Sequence, residues 1–586
     1  MKMLTPQMLH DRLEHRLPLL TGGSRDLPER QQTLRDTIAW SYDLLDSVQQ
    51  ALFRRLSVFS GGFTVEAAVA LMPEANETDV LDILSTLTDQ SLVRRATVRD
   101  ASPASTAEVR LVLLETIREY GLERLSADGE TERLRARHAS FFADLAERAA
   151  PELHGPGQLD WLERLDVEHD NLREALRWSL EHSPDIALAM AGALGWYWYI
   201  RGSFVEGSQW LQQALRRVGN GHTTVGAQAH CALGMLLREL AEFGEAAEQL
   251  DASVRICREL NDGDGLIVAL NERAFVGVYQ GHVDESLPLF NEGLQLAIAR
   301  GDRHGEAYYL SALGLLEFHL SGDPQRSLPF SEKSLSLFRE VGDLHEIAIE
   351  LGHVGYAALY RGDYQLAARY LDEGLALARQ LGDHLVASFL LVLLGFLALD
   401  QNDLILARER FADSIDLCQR LRMRGRMLGC LEGLAGVAAQ SGAADRASTL
   451  LGAVETWRER LGQPIQPAEQ TRHAKIVAET RRRIDPAAYT QSWNEGAELT
   501  LEAATALALE SLPEAAAAPI PSPFGLTARE LDVLRLVAQG LTDTEVAEQL
   551  FIARRTVNTH LTSIYTKLNV NSRAAATRFA VERGLS

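Results

Sequence analysis

One spacing governs what this chain can fold into. Gly202, Ala241, Gly281, Gly322, Gly362, Asn402 and Gly442 sit at matching turn segments, 39 to 41 residues apart. Five residues after each stands a small residue: Gly207, Ala246, Ser286, Ser327, Ala367, Ala407 and Ala447. Twelve residues before that stands another, at Gly195, Gly234, Ala274, Gly355, Gly395 and Ala435, while in the copy at 322 Gly314 is one place off. Self-similarity at a fixed period marks a repeat architecture. Antiparallel helices approach closely only where bulk is missing, so the spacing predicts helix A, a glycine turn and helix B, with small residues facing one another. A second turn closes each unit at Asn261-Asp262, Gly301-Asp302, Gly342-Asp343 and Gly382-Asp383.

These units resemble tetratricopeptide repeats in a longer form of about 40 residues. The resemblance implies an α-solenoid whose concave surface binds peptides, proteins or small effectors. The aromatic run Trp196, Tyr197, Trp198 and Tyr199 stands before the first turn. Its simplest role is core, with a ligand-facing role as the alternative.

Residues 28–127 read differently. Leu34, Ile38, Trp40, Leu44 and Leu45 give a helical stripe, Ser47 is placed to cap a helix carrying Leu52, Phe53, Leu56 and Val58, and Gly61-Gly62 breaks it. More helical periodicity runs from Val65 to Leu87. Leu92 to Arg95 and Val109 to Leu113 then suit a hairpin around the loop Ala101 to Ala107. Helices plus a hairpin predict a winged helix. The strings Leu-Pro-Glu-Arg-Gln-Gln-Thr-Leu at 27, Trp-Ser-Tyr-Asp-Leu-Leu at 40, Phe-Ser-Gly-Gly-Phe at 59 and Leu-Glu-Thr-Ile-Arg-Glu-Tyr at 114 resemble the part that follows the nucleotide-binding module in large bacterial signal-transducing ATPases. That resemblance implies either a truncated start or a member without its ATPase. In those ATPases the winged helix is a coupling element, which makes DNA contact by this region the minor expectation.

The four lysines, Lys2, Lys333, Lys475 and Lys567, are none of them preceded by glycine. A P-loop needs Gly-Lys-[Ser/Thr], so no such nucleotide site exists in this sequence. No Gly-x-Ser-x-Gly elbow and no His/Asp/Glu cluster with metal spacing occurs, so no catalysis, cofactor or metal is expected. Cys231, Cys257, Cys418 and Cys430 form no C-x-x-C pair, which excludes a thiolate zinc site and a disulfide scaffold. They are expected to be buried repeat residues. The apolar runs are too short to span a bilayer, which fits a cytoplasmic protein with no membrane partner.

Charge separates one segment from the rest. The chain carries a net charge of -23, whereas residues 524–586 hold eight basic and six acidic side chains, a net of +2 that leaves -25 for residues 1–523. So acidic a body repels a duplex, and any DNA contact must be local. The segment Pro513 to Pro523, with four prolines, reads as a linker reaching about 30 Å when semi-extended. Beyond it, Thr527-Ala-Arg-Glu530 and Thr542-Asp-Thr-Glu545 are capping boxes, and Gly540 ends the first of their helices. Leu531, Leu534 and Val537, then Val546, Ala547 and Leu550, then Val557, Leu561, Ile564 and Leu568 supply three apolar faces. This is a helix-turn-helix pattern, with the third helix placed to enter the major groove.

The strings Leu526-Thr-Ala-Arg-Glu-Leu-Asp-Val-Leu-Arg-Leu-Val-Ala-Gln-Gly540, Glu545-Val-Ala-Glu-Gln-Leu and Arg555-Thr-Val-Asn-Thr-His-Leu-Thr-Ser-Ile-Tyr-Thr-Lys-Leu568 are similar to the LuxR-type DNA-binding domain over about 60 residues. The resemblance implies that Asn558, Thr559 and Thr562 face bases. It implies that Arg554, Arg555, Thr556 and Lys567 touch backbone, and that the last helix, Arg573 to Arg583, dimerises through Ala575 and Ala576. His560 matches a common family histidine, with packing or a phosphate-side position as its leading role. Asn558 stands where the family usually has Lys or Arg, which shifts preference toward adenine. Ala553 stands where a capping Ser is usual, a loss of about 1 kcal/mol at that cap.

The sequence therefore predicts a mainly α protein. Its parts are a winged-helix-like region (1–127), a helical connector (128–190), a tetratricopeptide-like array (191–452), a helical region (453–512), a linker (513–523) and a four-helix LuxR-type helix-turn-helix domain (524–586). The function expected is a bacterial transcriptional regulator that binds double-stranded DNA as a homodimer, with a protein or small-molecule effector on the repeats. The alternative is a repeat-based scaffold with an auxiliary DNA-binding module.

Overall fold

The computed structural model describes residues 33–96, 109–219, 222–465, 467–510, 526–550, 552–568, 570 and 572–583. The hairpin loop Ala101 to Ala107 and the segment 513–523 lie outside them. Two compact units result, one drawn mainly from residues before 195 and one mainly from residues after.

The first unit is built on a winged-helix core. Helices Ser47–Leu56, Val65–Ala70 and Glu77–Asp89 precede the two-residue strands Arg94–Arg95 and Leu111–Val112, which pair antiparallel with Arg94 opposite Val112. Leu111 also bridges to Phe63, joining the wing to the chain just after Gly61-Gly62, both at positive φ. The cap of Ser47–Leu56 is Asp46 rather than Ser47: its carboxylate accepts from the N–H groups of Val48 and Gln49, both at 2.9 Å. Asp46 is one residue earlier and already extended, so Ser47 falls inside the first turn. Arg110, at the root of the wing, is buried against Glu168 and donates to the carbonyls of Gly62 and Val167.

The second unit begins with the array. Consecutive helices run Thr224–Glu239, Phe243–Leu260, Gly263–Tyr279, Val283–Arg300, Arg303–Ser321, Pro324–Val341, Leu344–Tyr360, Tyr364–Leu381, His384–Asp400, Leu404–Leu421, Arg424–Gln440 and Ala444–Leu461. All seven turn anchors adopt positive φ, including the non-glycines Ala241 (60°) and Asn402 (61°). The second turns repeat the device: Asn261, Gly301, Gly342 and Gly382 are left-handed. The aspartate after each caps the next helix, accepting from Gly265, Gly305, Glu346 and Val386.

Helix contact follows a rule the small residues only half reveal. A Cβ on Gly355 would stand 2.7 Å from Leu371 and one on Gly395 2.6 Å from Phe411; Gly234 meets Leu250 in the same way, and Gly314 meets Phe330 at 3.0 Å. Each glycine is thus a hole for a large residue sixteen positions on, one turn beyond the small residue expected to face it. On this spacing the copy at 322 is regular. Helix Ala444–Leu461 runs unbroken through residue 452, and Gly452 and Gly496 let it meet helix Pro486–Ala497 with backbone close to backbone.

Opposite responses are expected from two anchors. The left-handed conformation costs a residue with a Cβ about 1–2 kcal/mol, against about 0.4–1 kcal/mol of extra chain entropy for glycine when unfolded. Ala241→Gly should raise the urea midpoint of array unfolding, and Gly362→Ala, where a Cβ would meet nothing within 4 Å, should lower it. Circular dichroism at the helix band checks both signs.

Candidate nucleic-acid interface

The helix-turn-helix is assembled by its caps. Helix Ala528–Ala538 starts at a reciprocal pair, Thr527 Oγ1 accepting from Glu530 N at 3.2 Å and Glu530 accepting from Thr527 N at 2.7 Å. Thr542 and Glu545 repeat it for Asp543–Gln549. Gly540, at φ 94°, turns the chain between them. Helices Arg554–Leu568 and Arg573–Glu582 complete the four. The core gathers Leu526, Val533, Leu534, Val537, Val546, Leu550, Val557, Leu561, Ile564 and Ala576.

With Val557, Leu561 and Ile564 turned inward, the opposite side of Arg554–Leu568 presents Asn558, Thr559, Thr562 and Thr566 to solvent. Thr559 and Thr562 each donate to the carbonyl four residues back, those of Arg555 and Asn558. Arg554 and Arg555 are exposed at the start of this helix, with no carboxylate in salt-bridge range among the described residues, and Thr556 is half-buried beside them. His560 is half-buried, and burial lowers its pKa to about 4, helped by the nearby Arg529 charge, so it is neutral at physiological pH.

Lys567 is paired within the module. Its Nζ donates to both oxygens of Glu530, at 2.9 and 2.6 Å, while the residue itself stays exposed. Ser563 donates to the same carboxylate. Ala576 is fully buried in the module's own core, and Ala575 is the more exposed of the two expected dimer residues. Neither the Glu530 partner of Lys567 nor the burial of Ala576 is visible in a linear pattern.

Arg529, counted among the basic residues, is almost fully buried. It donates to Leu550 O at 2.6 Å and pairs with Asp413 of helix Leu404–Leu421 at 2.8 Å. Asp413 and Glu409 are both raised in pKa by burial, Glu409 to about 7. The first helix of the module thus rests on the array through one buried ion pair.

The array holds a cavity of about 330 Å³. Tyr199 reaches its wall, whereas Trp198 is packed in the core. At one side Arg238 is held by Glu272 at 2.6 Å and by Glu239 at 3.0 Å, with Tyr308 donating to Glu272. At the other side two guanidinium groups lie on rings: Arg426 over Phe389 at 5.5 Å, and Arg472 over Phe396 at 4.0 Å and Tyr360 at 5.0 Å. Neither has a carboxylate within 4 Å among the described residues. Phe389 and Phe396 are seven residues apart on helix His384–Asp400, two turns or about 10 Å along one face. The four cysteines are all buried and unbridged. Among the described residues no helix is long and apolar enough to cross a membrane.

Residues 525–580 match the family of bacterial regulatory proteins, luxR family, and residues 45–126 match the winged helix-turn-helix domain. An HTH-type transcriptional regulator of Mycobacterium tuberculosis (strain ATCC 25618 / H37Rv) is 29% identical over 99% of this chain and 78% of its own length. The transcriptional regulatory protein LiaR of Bacillus subtilis (strain 168) is 49% identical over 55 residues, 9% of this chain and 26% of its own. Among solved structures, a signal transduction ATPase with a tetratricopeptide repeat sensor from Pyrococcus horikoshii aligns over 85% of this chain and 69% of its own, at 16% identity and a TM-score of 0.44.

The Glu530 site has a definite pH signature. Burial works to raise its carboxyl, but hydrogen bonds from Lys567, Ser563 and the Thr527 backbone outweigh that and hold it below the ordinary value. A depressed folded pKa contributes stability above the unfolded pKa, and that stability is lost as pH falls through the folded one. In Glu530→Gln, amides of Arg554–Leu568 should exchange faster with solvent than in the parent at pH 7. The difference should close below about pH 4, near the ordinary carboxyl pKa. Hydrogen-exchange mass spectrometry reads this directly.

Proposed function

We propose, starting from a LuxR-type helix-turn-helix at residues 525–580 and relatives that are HTH-type regulators, that this chain is a sequence-specific transcriptional regulator whose helix Arg554–Leu568 enters the major groove. The observation that carries the reading is the split of that helix into a buried face and a polar, carboxylate-free face headed by two arginines. Asn558, Thr559 and Thr562 contact bases, and Arg554, Arg555 and Thr556 contact phosphates. Lys567, exposed while paired with Glu530, stands where it can join them. The regulator acts as a homodimer in the bacterial cytoplasm, and the reading assigns it no reaction of its own.

The array is the sensor in this reading. Two guanidinium groups on aromatic rings, with no carboxylate in salt-bridge range among the described residues, suit an anionic group attached to an apolar or aromatic body. The Arg529–Asp413 pair then gives the array a direct hold on the DNA-binding module, whose first helix it fastens.

Two measurements test these assignments. A bidentate amide pair to adenine contributes about 1–3 kcal/mol of discrimination, so Asn558→Ala should flatten preference at one base per half-site and leave the salt dependence of binding nearly unchanged. Arg555→Ala should weaken all sequences alike and reduce the salt slope by about one unit per protomer. Identical uniform losses in competition gel shifts would remove the groove assignment. For the cavity, anilinonaphthalene sulfonate, an aromatic anion, should bind the parent saturably at one site per chain, and the Arg426→Ala, Arg472→Ala double variant should lose that site.

A further inference from the structure

The segment after helix Thr131–Glu152 carries His154, which meets two array residues far away in sequence: His304, in the first turn of Arg303–Ser321, and Asp343, the cap of Leu344–Tyr360. Asp343 Oδ2 lies 3.1 Å from His304 Nε2 and 3.7 Å from His154 Nδ1, and the ligand atoms of all three residues fall within 4.8 Å of one another. A tetrahedral zinc ion with bonds of about 2.0–2.1 Å holds its ligand atoms about 3.3 Å apart. The cluster is therefore close to the size such an ion requires.

The surroundings are those of a supported site. The Asp343 carboxylate is fully buried, and its Oδ1 is occupied by Gln158 Nε2 at 3.0 Å and by the backbone N–H of Glu346 at 3.2 Å. Oδ2 is thereby oriented toward the imidazoles, as outer-shell partners orient a ligating carboxylate. The His154 ring lies tilted against Trp196 at 4.7 Å and edge-on to His304 at 5.1 Å, and its buried Nδ1 makes no hydrogen bond. One repeat further on, His345 and Asp383 form the same His–Asp pair with both side chains fully buried. Among the described residues, only the first pair is joined by a third donor from outside the array helices.

We propose that His154, His304 and Asp343 form a binding site for a divalent transition-metal ion of the zinc class. Two imidazoles and one carboxylate favour zinc or cobalt over magnesium or calcium, which take oxygen donors. A solvent molecule completes the coordination. Because the ligands come from three separated segments, the ion fastens the segment around His154 to the array, and its binding free energy adds to the stability of the folded chain.

Cobalt(II), a spectroscopic stand-in for zinc, tests this on the full chain after chelator treatment. One equivalent should bind with visible ligand-field bands of tetrahedral intensity. Zinc should bleach those bands and raise the thermal midpoint, whereas magnesium should do neither. His154→Ala, on a segment outside the helices, should weaken cobalt binding by about 10-fold or more, and the His154→Ala, His304→Ala double variant should abolish the bands while keeping the parent's circular dichroism. Absence of a saturable one-to-one spectrum in the parent overturns the proposal. So does an unchanged spectrum in the folded double variant.

Discussion

The second unit depends on a steric fit repeated along the array: a large side chain of helix B fills a space that helix A provides by having glycine there. Gly234 with Leu250, Gly355 with Leu371 and Gly395 with Phe411 leave no room for a Cβ. That fit sets how near the two helices of a hairpin lie, and close packing makes the distance hard to alter. The left-handed residues at both turns reverse the chain without added length, and the capping aspartates satisfy the N–H groups each new helix exposes. A constant period follows, and with it the alignment of equivalent side chains from one repeat to the next.

That alignment explains why chemistry accumulates inside the array. The first turn of one helix A meets the aspartate that caps the next, as His304 with Asp343 and His345 with Asp383 show. Tyr199, Arg238, Phe389 and Arg472 come from separate helices yet border one cavity. The guanidinium groups of Arg426 and Arg472 lie on ring faces with no carboxylate in salt-bridge range among the described residues, so their charge remains available to a ligand.

In the helix-turn-helix, charge is sorted by internal pairing. Arg529 is taken by Asp413, Lys567 by Glu530 and Arg573 by Asp543. The modest positive balance of the segment is thus spent largely on holding helices in place, and Arg554 and Arg555 retain their charge at the start of the exposed polar face. The Arg529–Asp413 pair couples a domain of regulator type to the repeats at a helix that contributes to its core.

Periodicity and local turn chemistry were legible in the sequence because both act over a few residues. The seven anchors all proved left-handed, the capping boxes at Thr527 and Thr542 formed, and the apolar stripe of Val557, Leu561 and Ile564 turned inward. The winged helix was readable from its helices and the pairing of Arg94–Arg95 with Leu111–Val112. Contacts between distant residues were not. Neither the sixteen-residue partner of each glycine nor the pairing of Lys567 with Glu530 has a local signature, and the burial of Ala576 depends on where the fourth helix docks. The meeting of His154, His304 and Asp343 has none either, since those residues become neighbours only when the array positions its helix ends beside the segment around His154. Sequence alone determined the repeat, its turns and the amphipathic faces; tertiary structure decided which charges remain free and which donors converge, because those depend on distances that only packing sets.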